Sequence, residues 1–295
     1  MFALRLRRAF DNSRIEFPEL SYANENQRPF QRWLIRQLET LSGRDYFVDL
    51  YKTWRSEVVG VSEYVMTEML ALVDLRLHVR GAAWPPQNLP DTPVVLIANH
   101  PYGIGDGIAI LSLAEKLGRP FRVIINNDLL KVPEMRALSL PISFDETREA
   151  LQMNLETRRE AVRLLKEGVT MVVFPAGGVA TAPRGFGKAQ DLPWKQFPAK
   201  LVQSAGASVI PVFFEGQCSR LFHLSSLVSM TLRTSLLIRE FRRLCGKDII
   251  AHVGPVIEAQ TLGAIRDRKA LTGFLYQAVF GLEPEEHRRK RRRIA

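Results

Sequence analysis

The feature that most constrains the fold of this chain is a regular alternation of short apolar runs and longer helical stretches between residues 93 and 214. The runs are VVLIAN, RVIINN, TMVVFP and SVIPVFF, and they are rich in β-branched residues, as buried strands are. The stretches between them repeat apolar residues every three or four positions, which is typical of helices. This alternation predicts the α/β class, with a mostly parallel central sheet flanked by helices.

The alternating segment lies between two regions of different character. Residues 1–80 show helical spacing, in FQRWLIRQLETL and VSEYVMTEMLALVDLRLHVRG, and predict an N-terminal helical arm that ends at the proline-rich GAAWPPQNLPDTP. The α/β domain is expected over residues 81–284. It includes a segment at 221–243, a later strand, DIIAHVGPVI, and a last helix, LGAIRDRKALTGFLYQAVFGL. Residues 285–295 form a basic tail.

Charge and cysteine content limit the possible partners. The chain has 295 residues, 46% of them hydrophobic, and a formal net charge of +10, which predicts a negatively charged partner. Basic residues interleave with aliphatic side chains rather than with stacking aromatic ones, and no helix-turn-helix or zinc signature is present, so nucleic acid is not expected. The two cysteines form no CxxC pair, and neither a metal nor a cofactor is indicated.

A histidine and an aspartate follow the first apolar run, in NHPYGIGDG. His100 comes directly after the strand, and a histidine at such a position is suited to proton abstraction near neutral pH. Five residues separate it from Asp106, and their glycines permit a turn that returns the carboxylate to the imidazole. Alternatively, backbone groups satisfy His100, and Asp106 only caps the next helix. A dinucleotide site is not favoured, because Ile108 stands where GxGxxG needs glycine.

A second glycine-rich loop, in VVFPAGGVATAPRGFGK, follows a later run. Its backbone N–H groups, with Arg184 and Lys188, are suited to an anion or a developing oxyanion, although solvated charges on a flexible loop are the alternative. It is not a phosphate-binding P-loop, because Ala189 follows Lys188. The fourth run continues into VIPVFFEGQCSR, which offers Glu215 and Arg220.

NHPYGIGDG, FPAGG and VIPVFFEG, in this order, resemble successive blocks of the glycerolipid (lysophospholipid) acyltransferase superfamily, which includes the 1-acylglycerol-3-phosphate acyltransferases. The resemblance covers about residues 80–260 and is specifically to the hemolysin-like and ornithine-lipid acyltransferase branch. It implies transfer of a fatty acyl group from acyl-CoA or acyl carrier protein to a lysolipid hydroxyl, without a covalent enzyme intermediate. His100 would be the general base and Asp106 its orienting partner.

The resemblance also implies residues that bind the acceptor or another part of the substrate. Ala176 stands where the wider family has glutamate, and Gly178 where this branch has one. Arg148 is the nearest match to an arginine of the second block but is slightly out of place, whereas Arg158 and Arg159 are typical of an exposed helix face. Because a phosphate-bearing acceptor needs a cation there, the lack of a clearly matching arginine favours an acceptor other than lysophosphatidic acid. The implied binding residues are Asn99, Gly103, Phe174, Pro175, Gly177, Arg184, Lys188 and Arg148.

The chain is expected to reach its lipid from the membrane surface. No window approaches the roughly 18 uninterrupted apolar residues of a membrane span, and no signal peptide follows the basic start MFALRLRRAF. A peripheral position on the cytoplasmic face is therefore expected. Residues 221–243 mix apolar residues with arginines and predict a pair of interfacial amphipathic helices; the arginines are Arg220, Arg233, Arg239, Arg242 and Arg243.

The basic tail at 288–293 predicts an additional electrostatic anchor, unless it is merely solvated, as terminal charge runs usually are. The start MFALRLRRAF is a further candidate contact. An alternative function is a lipid-binding protein that kept this fold and lost activity. Ala176 and Gly178 favour that alternative, and the intact His100 and Asp106 argue against it.

Overall fold

The computed structural model describes residues 17–23 and 27–285 and is built around a seven-stranded sheet in the order β1-β7-β6-β2-β5-β3-β4. The strands are β1 (Arg76–Gly81), β2 (Val94–Ala98), β3 (Phe121–Asn126), β4 (Ser139–Ile142), β5 (Thr170–Val173), β6 (Ser208–Phe214) and β7 (Asp248–Val253). β6, β2, β5, β3 and β4 are parallel to one another, whereas β7 pairs antiparallel with β6 and parallel with β1. The predicted α/β class with a mostly parallel sheet is confirmed.

Helices cover both faces of the sheet. They are α1 (Pro29–Leu41), α2 (Arg44–Thr53), α3 (Val65–Leu72), α4 (Ile104–Glu115), α5 (Pro133–Arg136), α6 (Arg148–Lys166), α7 (Phe197–Ala205), α8 (Arg220–Val228), α9 (Met230–Ser235), α10 (Leu237–Leu244), α11 (Ala259–Gly263) and α12 (Arg268–Phe280). A π-helical turn follows α2 at Trp54–Val58. Helices α1 to α3 confirm the helical arm, and within the described residues no helix is both long and apolar enough to cross a membrane.

The alternation of side chains along β2 divides the core into two layers. Val94 and Leu96 pack with apolar residues of α2, α3, α4 and α10, whereas Val95 and Ile97 pack with those of α6, α7 and α12. Because both faces of this strand are covered, every β2 residue is buried, and the run reads as continuously apolar rather than alternating. Burial of each such side chain contributes about 1.5–3 kcal/mol.

One expected helix is a strand. The prediction of helix through Arg80 is wrong beyond α3, because residues 76–81 form β1 at the edge of the sheet. Asp74, with φ 50°, turns the chain between the two elements. The exposure of β1 alternates through Leu77 and Val79, a period that six residues alone do not separate from helical spacing. The proposed division of the chain at Gly81 falls at the last residue of this strand.

Other element boundaries also differ from expectation. The short edge strand β4 is not evident from the sequence, because it contains Pro141, which is depleted in strands other than those at an edge. The last predicted helix is divided into α11 and α12, since the Asp267 side chain accepts a hydrogen bond from the Ala270 N–H at 2.6 Å and starts a new helix. The predicted helix pair at 221–243 comprises α8, α9 and α10, and Ser229 caps α9.

Candidate active site

The three sequence blocks meet at one edge of the sheet. β2 is central and pairs with β5 on one side and β6 on the other, and all three strands run in the same direction. Their carboxyl ends are therefore adjacent, and the loops that follow them lie side by side. This edge collects His100 from the loop after β2, Phe174 from the loop after β5 and Glu215 from the loop after β6.

The turn after β2 brings Asp106 back to His100. Gly103 has φ 82° and precedes the first residue of α4, so the chain reverses there and Asp106 lies in the first helical turn. Oδ2 of Asp106 lies 3.2 Å from Nδ1 of His100 and accepts the backbone N–H of Tyr102 at 3.1 Å. Asp106 is fully buried, and the helix N-terminus favours its negative charge. The side chain of His100 is 17% exposed.

His100 is held from several other directions. Its ring stacks on the ring of Phe174, with centroids 4.1 Å apart and planes 27° from parallel. Its backbone carbonyl accepts the N–H of Ala180 at 2.7 Å, and its backbone N–H donates to Oδ1 of Asp191 at 3.2 Å. Nε2 makes no hydrogen bond to any described residue. The imidazole is thus fixed in place with one nitrogen available to a substrate.

Two of the binding residues implied by the resemblance, Asn99 and Gly103, have structural roles in this loop. Both polar atoms of the buried Asn99 amide bond to the backbone of Phe214, with its oxygen accepting the N–H at 2.7 Å and its nitrogen donating to the carbonyl at 3.0 Å. Asn99 therefore joins the ends of β2 and β6. At Gly103, a Cβ would lie 3.0 Å from side-chain atoms of both Leu237 and Val179, so a larger residue does not fit without a shift.

The loop after β5 presents backbone rather than carboxylate. Pro175 is buried and its carbonyl accepts the N–H of Lys195 at 3.0 Å; Gly177 has φ 67° and donates its N–H to the Phe174 carbonyl at 3.0 Å. Ala176 is buried, and a Cβ at Gly178 would lie 3.1 Å from Leu192. Within the described chain, the N–H of Gly178 has no acceptor.

The implied cations differ in their surroundings. Lys188 is exposed and forms an ion pair with the buried carboxylate of Glu283. Arg184 is exposed and makes no ion pair with any residue that the structure describes. Arg148 is exposed at the first position of α6, and Arg158 lies over the ring of Phe197 at 5.2 Å.

The loop after β6 supports the site from the other side. Glu215 bonds to His252 on β7. The hydroxyl of Tyr102 occupies the space where a side chain at Gly216 would lie, which explains the glycine there. Burial, with Asp106 nearby, raises the pKa of Tyr102 to about 12, so this hydroxyl stays protonated at neutral pH. Arg220 is exposed at the start of α8.

Asp191 is the site residue that sequence reasoning missed. Its Oδ1 accepts the backbone N–H of His100, and its Oδ2 accepts the indole N–H of Trp194 at 2.9 Å. Burial raises the pKa of Asp191, and these hydrogen bonds and the charge of His100 oppose that rise. Nothing in the stretch KAQDLPW indicates this position, because the contact joins residues 91 apart in the chain.

The segment at 221–243 is only partly as expected. The prediction that Arg233 lies at an interface is wrong, because it is buried over the ring of Phe222 and donates to the Val179 carbonyl. Arg239 pairs with Glu240 at 3.2 Å. Arg242 lies over the ring of Tyr46 at 3.8 Å, while Arg220 and Arg243 are exposed.

Large apolar side chains are nevertheless exposed on α8 and the neighbouring loop, and we call them the α8 patch: Phe186, Leu221, Leu224, Leu227 and Val228. Gly185, beside Phe186, lies directly against Leu224 and Leu227, so the loop and the helix form one surface. The start MFALRLRRAF and the basic residues at 288–293 lie outside the described residues.

Comparisons with known proteins identify the family of the chain. A search of curated proteins found no match. Among solved structures, the chain is similar to the crystal structure of the 1-acyl-sn-glycerophosphate (LPA) acyltransferase PlsC from Thermotoga maritima, with 17% identity, 96% of this chain and 87% of that chain covered, and a TM-score of 0.48. A family model described as acyltransferase matches residues 87–244, more than half of the chain, and includes His100, Asp106 and the loops after β5 and β6. The chain belongs to this acyltransferase family.

Proposed function

We propose that the chain is an enzyme that transfers a fatty acyl group from an acyl thioester to the hydroxyl of a lysolipid at a membrane surface. The observation that carries the proposal is the contact between His100 and the buried Asp106, 3.2 Å apart, at the end of the central strand of an acyltransferase-family chain. A histidine with a buried carboxylate on one nitrogen and a free second nitrogen has the arrangement of a general base.

The proposed reaction needs no covalent bond to the protein. Nε2 of His100 accepts the proton of the lysolipid hydroxyl as its oxygen attacks the thioester carbonyl carbon. The tetrahedral intermediate then collapses, the carbon–sulfur bond breaks, and the imidazolium returns the proton to the departing thiolate. Asp106 keeps the proton on Nδ1, so that Nε2 can accept, and stabilises the positive charge that forms on the ring. Such general base catalysis contributes about 10²- to 10⁴-fold.

The loop after β5 supplies a candidate donor for the negative charge on the intermediate. The N–H of Gly178 has no acceptor among the described residues and belongs to the same loop as Phe174, which stacks on His100. A fixed backbone N–H near a developing oxyanion lowers the barrier without reorganising during the reaction. The donor substrate in this proposal is acyl-CoA or acyl carrier protein, and no metal or further cofactor takes part.

The position of the cations favours an acceptor other than lysophosphatidic acid. Arg148, the nearest match to the arginine of the second block, is slightly out of place. Lys188 is engaged by Glu283, and Arg184 is the cation on the loop after β5 that makes no ion pair with a described residue. Recognition of a phosphate monoester usually needs cations placed to form charge-assisted hydrogen bonds. We therefore favour a lyso-ornithine type of lipid over lysophosphatidic acid, in keeping with the hemolysin-like and ornithine-lipid branch that the sequence resembles.

The α8 patch supports action at a membrane surface. Its loop, with Arg184 and Phe186, continues directly from the loop after β5, so a lipid contact there would lie on the same segment of chain as the site. Apolar side chains flanked by exposed arginines suit an anionic bilayer surface. We propose a peripheral position on the cytoplasmic face, with the N-terminal start and the basic tail as further contacts.

The test is transfer of a labelled acyl group, from acyl-CoA and separately from acyl carrier protein, to a panel of lysolipids. The panel contains lyso-ornithine lipid, lysophosphatidic acid and lysophosphatidylcholine. We expect product with lyso-ornithine lipid. Product with lysophosphatidic acid alone would keep acyl transfer and overturn the acceptor assignment. No product with any acceptor, while vesicle binding persists, would favour the inactive lipid-binding alternative.

A further inference from the structure

We propose that Asp191 is a positioning residue of this site, whose carboxylate fixes the backbone of His100 and places a second negative charge beside its imidazole. The inference rests on the proposed function and deepens it. Asp191 is neither in the blocks that resemble known acyltransferases nor next to His100 in the chain. It reaches the site because the segment after β5 folds back on itself.

The geometry of that segment is closed by paired hydrogen bonds. Thr181 and Gln190 form an antiparallel bridge, with N–H to carbonyl distances of 2.9 and 3.0 Å. A second contact joins the two sides of the segment, where the N–H of Lys195 donates to the Pro175 carbonyl at 3.0 Å. Asp191 follows the bridge directly, so its side chain is aimed at the end of β2 by backbone contacts on both sides. The loop between Thr181 and Gln190 contains Arg184, Phe186 and Lys188.

Each oxygen of the carboxylate has its own donor. Oδ1 accepts the N–H of His100 at 3.2 Å, and Oδ2 accepts the indole N–H of Trp194 at 2.9 Å. Trp194 in turn packs on α12, with its ring centroid 5.2 Å from that of Tyr276 and 6.2 Å from that of Phe280. The carboxylate therefore connects His100 to a helix in the other core layer. A misplacement of about 1 Å at a reacting group costs on the order of 100-fold in rate.

The two N–H groups do not explain why residue 191 is charged, because a neutral carbonyl oxygen accepts such hydrogen bonds equally well. Removing a carboxylate from water is unfavourable. This desolvation cost is offset when a cation forms beside the carboxylate, as the imidazolium of His100 does in the proposed transfer.

Asp106 on α4 contacts the imidazole, and the next ionisable groups are Tyr102 in the loop after β2 and Cys218 and Glu215 in the loop after β6. Burial raises the pKa of both Tyr102 and Cys218, so each stays neutral. Glu215 bonds to His252, and Asp106 is the carboxylate in contact with the ring.

The experiment compares Asp191→Asn and Trp194→Phe with the unaltered protein, and uses Asp91→Asn at an exposed site as control. We measure kcat and KM between pH 5.5 and 9, and the thermal unfolding midpoint. Asp191→Asn is expected to lower kcat about 10- to 100-fold with little change in KM for the thioester. It should also move the acid limb of the kcat/KM profile to lower pH, because loss of the Asp191 charge disfavours the protonated imidazole.

Trp194→Phe and Asp191→Glu separate charge from position. Both keep the carboxylate, so the acid limb should stay where it is in the unaltered protein, while kcat falls several-fold. Unchanged kcat in Asp191→Asn would overturn the proposal. So would a loss of activity that only follows the folded fraction and leaves the acid limb in place, because that is the result of a purely structural role.

A second measurement does not depend on turnover. The NMR titration of the His100 Cε1–H resonance, identified by its absence in His100→Ala, should shift to lower pH in Asp191→Asn but not in Asp91→Asn. If the unaltered protein transfers no acyl group and this shift is present, the proposed function fails while Asp191 still acts on His100. If His100 titrates at the same pH in Asp191→Asn as in the unaltered protein, the proposal about Asp191 is wrong whatever the activity.

Discussion

At the scale of single residues, the buried carboxylate of Asp106 is the group in contact with the imidazole of His100. Its Oδ2 is shared between the imidazole Nδ1 and the Tyr102 N–H, and its Oδ1 has no hydrogen-bond partner among the described side chains and backbone groups. The residue sits in the first turn of α4, where the helix end favours an anion. A neutral side chain of the same shape would keep the contact with Tyr102 and lose the charge.

We therefore expect Asp106→Asn to lower kcat/KM about 10²- to 10⁴-fold, because the amide neither holds the required tautomer of His100 nor stabilises its imidazolium. The change is nearly isosteric, so the thermal unfolding midpoint should move by only a few degrees. Steady-state acyl transfer, with Asp91→Asn as an exposed control, checks this. Activity within twofold of the unaltered protein would mean that Asp106 serves only to cap α4.

At the scale of elements, α8 has one buried face and one exposed apolar face. Phe222 and His223 are buried on one side, whereas Leu227 is 57% and Val228 78% exposed on the other. Arg233 on α9 donates to the Val179 carbonyl, which ties this helical segment to the loop after β5. An exposed apolar face that is joined to the site in this way is suited to hold the protein against a bilayer while the lysolipid enters.

The double variant Leu227→Glu with Val228→Glu is expected to bind anionic vesicles roughly tenfold or more weakly, because it replaces apolar contact by charge repulsion. Leu151→Glu with Leu155→Glu on α6 is the matched control, since those leucines are 61% and 52% exposed on a helix that packs against β4 and β5. Co-sedimentation with vesicles checks the expectation. Equal binding by the α8 variant and the α6 control would remove α8 from the membrane contact.

At the scale of the whole molecule, the strands that the sequence predicts most clearly are those buried on both faces of the sheet. β2, β5 and β6 are buried on both faces, so their apolar runs are continuous and unmistakable. β1 at one edge is half exposed and its pattern predicts helix, whereas β4 at the other edge contains a proline and its pattern predicts no strand. Edge strands carry a weaker signal because only part of their surface is covered.

In the candidate site, contacts within one short segment are predictable from the sequence, and contacts between distant segments are not. His100 and Asp106 lie within one short turn, so their types and spacing predict the contact. Phe174 was expected to bind the acceptor, and its stacking on His100 depends on the pairing of β2 with β5. The partners of Lys188 and Asp191 come from distant parts of the chain, Glu283 and His100. Contacts of this kind depend on how the loops pack, and no local pattern encodes them.

The proposed mechanism depends most on His100, and the measurement that tests it most directly is transfer of a labelled acyl group by His100→Ala to whichever lysolipid the unaltered protein acylates. His78→Ala, at a half-exposed histidine on the edge strand β1, is the control. We predict that His100→Ala loses activity by about 10²-fold or more, with an unchanged unfolding transition, and that His78→Ala stays within twofold of the unaltered protein. Normal turnover by folded His100→Ala would contradict the proposed mechanism.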